Sequence, residues 1–367
     1  MKISAALLLE AGQPFRVEQL DLADPRAGEV RVRVAAVGVC HSDWHLVTGA
    51  TQHPMPVVAG HEGAGVVEAV GPGVDDIKPG DHVVLNWAPS CGRCFYCLRG
   101  RSNLCETFTG PIWNGTLLDG TTRLSWNGRD VFHYCGLAAL ATHAVVPRQS
   151  CVVVPPDVPM DVAALVGCAV ATGVGAAMFT AGVKPGDSVV VFGCGGVGLS
   201  IIQGAKLCGA TPILAVDARP EKIWVGQHFG ADEVLLADRD DVAAIVRHHT
   251  GGRGADHAFD AVGIPAVQER ALECVRPGGT LTLAGLAPSG SSTNFPSAVL
   301  TRQEMTIRGS YYGSVHAPRD FPMLLGLCKS AKLNLADMIT RRYRLDEVNE
   351  AYRAMAAGEL ARGVILM

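Results

Sequence analysis

One glycine pattern and its surroundings restrict the fold of this 367-residue chain more than any other feature. In SVVVFGCGGVGLSIIQGAKLCGATPILAVD, Gly193, Gly195 and Gly198 follow a compact apolar run and open a helix-length segment, and Asp217 ends the next apolar run. Gly193 suits a tight turn, Gly195 lets a ligand approach bare backbone, and Gly198 lets helix and strand pack closely. With the amides of Gly196 and Val197 at the helix start, this loop is a seat for a pyrophosphate, and Asp217 is placed to accept from ribose hydroxyls. A carboxylate there repels a 2′-phosphate, so NAD is the expected cofactor. Arg219 and Lys222 nearby leave NADP as the alternative.

The pattern around the glycines fixes the rest of that half. After Pro155, the runs SVVVFG, PILAVD, DEVLLA, DHAFDAVG and TLTLAG are short and apolar, and helix-length segments separate them. Such alternation predicts a parallel, doubly wound α/β sheet with both faces covered. From Glu29 to Val154 the chain instead shows short β-type runs, including VRVRVAAVGVC, PVVAGHEGAGVVEAV and DHVVLN, broken by Gly/Pro turns. After the doubly wound half come two helical segments, FPMLLGLCKS and LDEVNEAYRAMAAG, and a final apolar run, VILM, suited to rejoining the first sheet.

Charge and hydropathy exclude several classes. The 31 Lys+Arg and 35 Asp+Glu residues give a net charge of −4 and are scattered, which excludes a nucleic-acid or anionic-membrane surface as the main partner. The opening MKISAALLLE is interrupted by Glu10 and reads as a first strand, not a leader. No apolar run is read as long enough to span a bilayer, and a cytoplasmic protein is expected.

Twelve cysteines could suggest disulfides, but several stand at metal-ligand spacing. Cys91, Cys94, Cys97 and Cys105 lie within one loop, close enough to wrap a zinc ion tetrahedrally with no open position. The same CxxCxxC rhythm begins some iron–sulfur sites; the longer gap to Cys105 and the missing proline favour zinc. Cys40 in GVCHSDWH, His61 in GHEGAG and Cys168 before ATGVGAA form a looser set of two thiols and an imidazole. Such a set leaves a fourth zinc position for water or substrate oxygen. The remaining cysteines, at 135, 151, 194, 208, 274 and 328, read as small buried hydrophobes.

Together these residues resemble the zinc-dependent alcohol dehydrogenases of the medium-chain dehydrogenase/reductase superfamily, over essentially the whole chain. The most specific match is Gly60-His61-Glu62, followed by Gly65 and Gly71, in family order with the four-cysteine loop, the Cys168 segment and the glycine fingerprint. The resemblance implies a GroES-like β-rich catalytic domain at 1–166 and 312–367, carrying two zinc sites, around a Rossmann NAD-binding domain at 167–311. It implies that Cys40, His61 and Cys168 hold a catalytic zinc with Glu62 as a transient ligand, that the four-cysteine loop holds a structural zinc, and that Asp43 orients His61. Thr172, Val262 and Leu286 match positions at the nicotinamide, and Arg362 one at the pyrophosphate. His41 stands where many relatives carry a pyrophosphate-binding arginine.

The implied reaction interconverts a primary alcohol and its aldehyde with NAD(H). Ser42 and His45 match a relay that carries the alcohol proton to solvent. Trp87, Ile112 and Tyr134 match an apolar substrate pocket suited to aromatic, terpenoid or medium-chain alcohols. Thr51 and Thr109 replace charged residues of the glutathione-dependent branch, which disfavours that substrate. The long segment between Cys105 and Cys168 resembles that of homodimeric members. Similar GSYYGS and EVNEAY endings occur in bacterial relatives that retain cofactor and need an artificial acceptor. The alternatives are a polyol or secondary-alcohol dehydrogenase and a non-catalytic nucleotide-binding protein.

Overall fold

The computed structural model describes all 367 residues, which divide into two compact units. The first comprises 1–169, 316–331 and 335–367; the second comprises 170–315 and 332–334.

The first unit is built on two β systems. Strands Lys2–Leu8, Arg16–Leu22, Leu124–Trp126, Arg129–His133 and Val57–Val58 close into a small barrel. The second is a seven-stranded sheet around Glu29–Gly38, which pairs antiparallel with Gly63–Val70 on one side and Arg362–Leu366 on the other. In Glu29–Gly38, Val30, Val32 and Val34 are buried while Arg31 and Arg33 alternate outward, the period of a strand with one wet face. The terminal VILM run does enter this sheet, with Ile365 opposite Val37.

Two helices interrupt the region read as irregular and β-rich: His41–Thr48 and Glu106–Asn114. Both are short and half-exposed, so neither shows a long apolar stripe. The run PVVAGHEGAGVVEAV also divides, into Val57–Val58 and Gly63–Val70. The break is at Gly60, whose φ of +90° suits glycine. A Cβ there would sit 2.5 Å from the Leu140 amide nitrogen.

The second unit is a six-stranded parallel sheet in the order Glu233–Leu236, Ile213–Asp217, Val189–Phe192, Ala255–Asp260, Val275–Leu283 and Thr306–Gly309. Numbered along the chain this order is 3-2-1-4-5-6, the doubly wound arrangement whose central crevice binds dinucleotides. Val189–Phe192 is buried at all four positions, as a strand covered on both faces must be.

The expectation that no apolar run reaches membrane-spanning length is corrected. The helical run Met160–Ala181 is 22 residues long with a mean hydropathy of 2.0, enough to cross a membrane by length and composition. Its most apolar stretch is 89% buried inside the protein, so packing accounts for that apolarity. Segments of wider, π-type turn at Val166–Val170 and Ala176–Ala181 break its regularity.

Candidate active site and nucleotide-binding loop

The first cluster is assembled by local backbone breaks. Cys40 follows the strand Glu29–Gly38 and, with an extended backbone, caps the helix His41–Thr48. His61 and Glu62 follow the Gly60 turn, and Cys168 comes from the first π-type segment. Ligand atoms of Cys40, His61, Glu62 and Cys168 lie within 4.8 Å of one another, and all four residues are buried. His61 Nε2 is 3.2 Å from Cys168 Sγ, and its Nδ1 is 3.1 Å from Asp43 Oδ1, which also accepts from the Gly60 amide at 2.8 Å. With Nδ1 held as the donor to Asp43, loss of the other ring proton exposes the Nε2 lone pair toward the cysteines.

The electrostatics describe a site adapted to a cation. A hydrogen bond from Cys168 holds the Cys40 thiol well below its ordinary range, and the nearby His61 adds to this. The same pairing, with burial, holds Cys168 well above that range. Burial disfavours charge on His61, yet Asp43 and the two sulfurs outweigh it and keep the imidazole pKa well above normal. Burial lifts Glu62 to about 7 against the pull of Arg362. Two thiols, an imidazole and a carboxylate, all desolvated and convergent, fit zinc: soft donors select it and a divalent ion offsets buried thiolates.

The second cluster sits in the exposed loop around 91–105. Cys91, Cys94, Cys97 and Cys105 also bring their sulfurs within 4.8 Å, and none forms a disulfide. The Cys91 amide donates to Cys105 Sγ at 3.3 Å. Phe95 and Leu98 are exposed by 53% and 72%, so this loop has little apolar core of its own and needs a staple. Four sulfurs with no open side fit a structural zinc. The other six cysteines are buried or half-buried, and burial pushes Cys135, Cys151, Cys194 and Cys274 up to about 12, as inert thiols.

Around His61 the walls are aromatic. The Tyr134 and Trp87 rings meet it edge-on, with centroids 5.6 and 6.4 Å away, and the Tyr134 hydroxyl donates to the Ser42 carbonyl at 3.2 Å. Ile112 lines a small pocket with Phe108, Leu117 and Cys135. Ser42 lies 3.9 Å from Cys40 Sγ, and His45 is three residues further along the same helix, where burial lowers its pKa. His41 is exposed at the helix start. Arg362 is buried and its guanidinium pairs with Glu62.

In the second unit, Gly193 turns the chain at φ +98° after Val189–Phe192, and Gly195 caps the helix Gly196–Leu207. A Cβ on Gly198 would come within 1.7 Å of the Gly193 carbonyl oxygen, whereas one on Gly195 would meet nothing within 4 Å. Gly198 is therefore required by packing, and Gly195 opens onto free space above the helix N-terminus, where a pyrophosphate fits. Asp217 accepts from the Cys194 amide at 2.8 Å and the Arg219 amide at 3.0 Å, which ties the acid to the glycine loop. Lys222 is buried. Val262 and Leu286 are exposed apolar groups beyond the carboxyl ends of their strands, and Thr172 is buried in the long helix.

Comparison with known proteins agrees with this geometry. Residues 26–156 match the family model described as alcohol dehydrogenase GroES-like domain, and residues 196–330 match that of zinc-binding dehydrogenase. The NDMA-dependent alcohol dehydrogenase of Amycolatopsis methanolica is 41% identical over 100% of this chain and 99% of its own. The chain belongs to the zinc-dependent alcohol dehydrogenases of the medium-chain superfamily. The S-(hydroxymethyl)glutathione dehydrogenase of Paracoccus denitrificans is 37% identical to this dehydrogenase, covering both chains fully. Among solved structures, benzyl alcohol dehydrogenase from Acinetobacter calcoaceticus superposes with a TM-score of 0.95 at 30% identity, covering 100% and 99% of the two chains.

Sequence reasoning passed over one residue of this dehydrogenase, Asp260, and one pairing, that of Glu62 with Arg362. Asp260 is fully buried and accepts from the Val262 and Gly263 amides and the Gln268 side chain, so it shapes the turn that presents Val262. The DAVG ending of its strand was the available signal. The Glu62–Arg362 pair had none, since its members lie 300 positions apart.

Proposed function

We propose that this dehydrogenase interconverts an apolar primary alcohol, aromatic, terpenoid or medium-chain, and its aldehyde, with NAD(H) as hydride carrier. The observation that carries the reading is the pair of aromatic rings, Tyr134 and Trp87, set edge-on to His61 at the four-donor cluster. A wall of this kind favours an apolar side chain and offers little to hold a polyol's extra hydroxyls. The Thr109 hydroxyl already donates to the Cys105 carbonyl at 2.8 Å, which argues against a carboxylate-rich substrate.

Cys40, His61 and Cys168 would hold the catalytic zinc, with Glu62 in reserve and Asp43 fixing the His61 ring. When bound, the ion supplies Lewis acidity that eases loss of the alcohol proton. Ser42, beside Cys40, takes that proton, and His45, neutral at physiological pH because burial lowers its pKa, passes it to water. Asp217 would hold the adenosine ribose of NAD, and the amides after Gly195 its pyrophosphate. Bound NAD supplies the hydride acceptor.

The test is the initial rate with benzyl alcohol, geraniol, hexanol and sorbitol, each with NAD and with NADP, before and after zinc chelation. Chelator-sensitive turnover of the apolar alcohols with NAD is expected; preference for sorbitol, or turnover that survives metal removal, overturns the reading. A second reading, that turnover needs an added acceptor, is favoured by the name of the Amycolatopsis relative. Activity seen only when NDMA is present would select it. The long 105–168 segment supports a homodimer, which light scattering would test.

A further inference from the structure

Asp43 uses only one of its two oxygens in the contacts described above. Oδ1 accepts from Gly60 and His61, whereas Oδ2 is fully buried and has no hydrogen bond of ordinary geometry. A buried carboxylate oxygen left in this state is costly, because burial strips its water without replacing it. The Tyr352 hydroxyl is in the same condition: buried and without a well-formed partner.

The two groups lie on two helices that pack together, and the phenol is close enough to Asp43 to be influenced by its charge. Tyr352 lies on the C-terminal helix Val348–Ala356, and its ring stacks on Trp44, the neighbour of Asp43, with centroids 6.4 Å apart and planes at 11°. The ring also packs on Phe15, with centroids 5.3 Å apart. Asn349, one turn earlier, clamps Phe15 through both backbone groups: the Phe15 amide donates to Oδ1 and Nδ2 donates to the Phe15 carbonyl, each at 2.9 Å. The ring is thus packed between helix and aromatic neighbours, its hydroxyl close enough to Asp43 to be influenced by it, and burial together with the Asp43 charge keeps that phenol protonated, hence a donor.

We propose that the Tyr352 hydroxyl donates to Asp43 Oδ2 and so fixes the carboxylate that orients His61, making Tyr352 a positioning residue for the catalytic metal site. The proposal rests on the metal reading of the Cys40–His61–Cys168 cluster. It gives the EVNEAY segment a function: Asn349 sets the helix against Phe15, and Tyr352 completes a line from phenol through carboxylate to imidazole. Outer partners of a metal-bound histidine tune affinity, because a misplaced carboxylate lets the ring swing.

The test is competitive zinc titration of the metal-stripped protein against a chromogenic chelator, with Tyr352→Phe, Asp43→Asn and the double variant. The wild type is expected to take up two ions. Tyr352→Phe keeps the stacked ring and is expected to retain the four-cysteine ion while binding the other about tenfold or more weakly. In the Asp43→Asn background the same change should add little, since the acceptor it serves is altered. Cobalt substitution gives a second readout, expected to show shifted visible bands in Tyr352→Phe. Wild-type affinity and spectrum in Tyr352→Phe, or an equal loss in both backgrounds, overturns the proposal. One ion per wild-type chain would instead overturn the metal reading beneath it.

Discussion

At the scale of single residues, buried charges and buried imidazoles matter most, because each must find its partner inside the protein. Arg362 and Glu62 are both buried and pair with each other. Glu62→Gln leaves a buried guanidinium without its counter-charge and is expected to cost about 3–5 kcal/mol, measured by denaturant unfolding. Arg362 had been matched to a pyrophosphate-binding position from sequence, and nothing local to either residue announces the pair. His133 is a different case. It is fully buried, accepts from the Arg123 amide at 3.1 Å, and burial, aided by Arg123 and His53, lowers its pKa from 6.5 to about 3. Its folded-state pKa lies below the unfolded one, so its contribution is complete above pH 6.5 and declines as pH falls toward 3. The loss runs at up to about 1.4 kcal/mol per pH unit. His133→Gln, which keeps an acceptor but cannot gain charge, should flatten the dependence of melting temperature on pH between about 6 and 4.

At the scale of elements, legibility followed periodicity. Five of the six strands of the parallel sheet were plain as short runs rich in apolar residues and bounded by turn residues, whereas Thr306–Gly309, half-exposed and carrying Arg308, was not among them; the glycine fingerprint carries its geometry in its spacing. The helix His41–Thr48 was not legible, since it buries only Asp43, Leu46 and Val47 and so shows no long apolar stripe. The Met160–Ala181 run was misjudged because apolar residues all around a helix give no stripe to detect. The cysteine loop was readable from spacing alone, whereas the Tyr134 approach to His61 depends on a tight turn with Cys135 at φ +52° that no pattern reveals. The fingerprint yields a sharp prediction: Gly198→Ala places a Cβ 1.7 Å from the Gly193 carbonyl. The turn must open, and NAD binding by calorimetry should weaken by about 100-fold or more, as expected when two or more amide–pyrophosphate bonds of about 1.5–3 kcal/mol each are lost, while both zinc ions stay bound.

At the scale of the whole molecule, the chain begins and ends in the same unit. The strand Arg362–Leu366 lies inside the seven-stranded sheet, antiparallel to Glu29–Gly38 and parallel to Ile339–Arg344. Deleting residues 362–367 removes an interior strand and the partner of Glu62 together. The truncated chain is expected to aggregate on expression, whereas truncation after Leu366 should leave solubility and zinc content unchanged; the soluble fraction and metal analysis decide between these outcomes.

That strand placement also bears on synthesis. Ribosomes release chains from the amino end at a few residues per second, so Glu29–Gly38 is made long before its partner and waits with an open edge. The 170–315 segment can complete its own sheet in the meantime, since all six of its strands lie within it. The order of synthesis therefore need not be the order of closure: the inserted segment can complete its sheet first, whereas the surrounding unit cannot complete its own until Arg362–Leu366 is made.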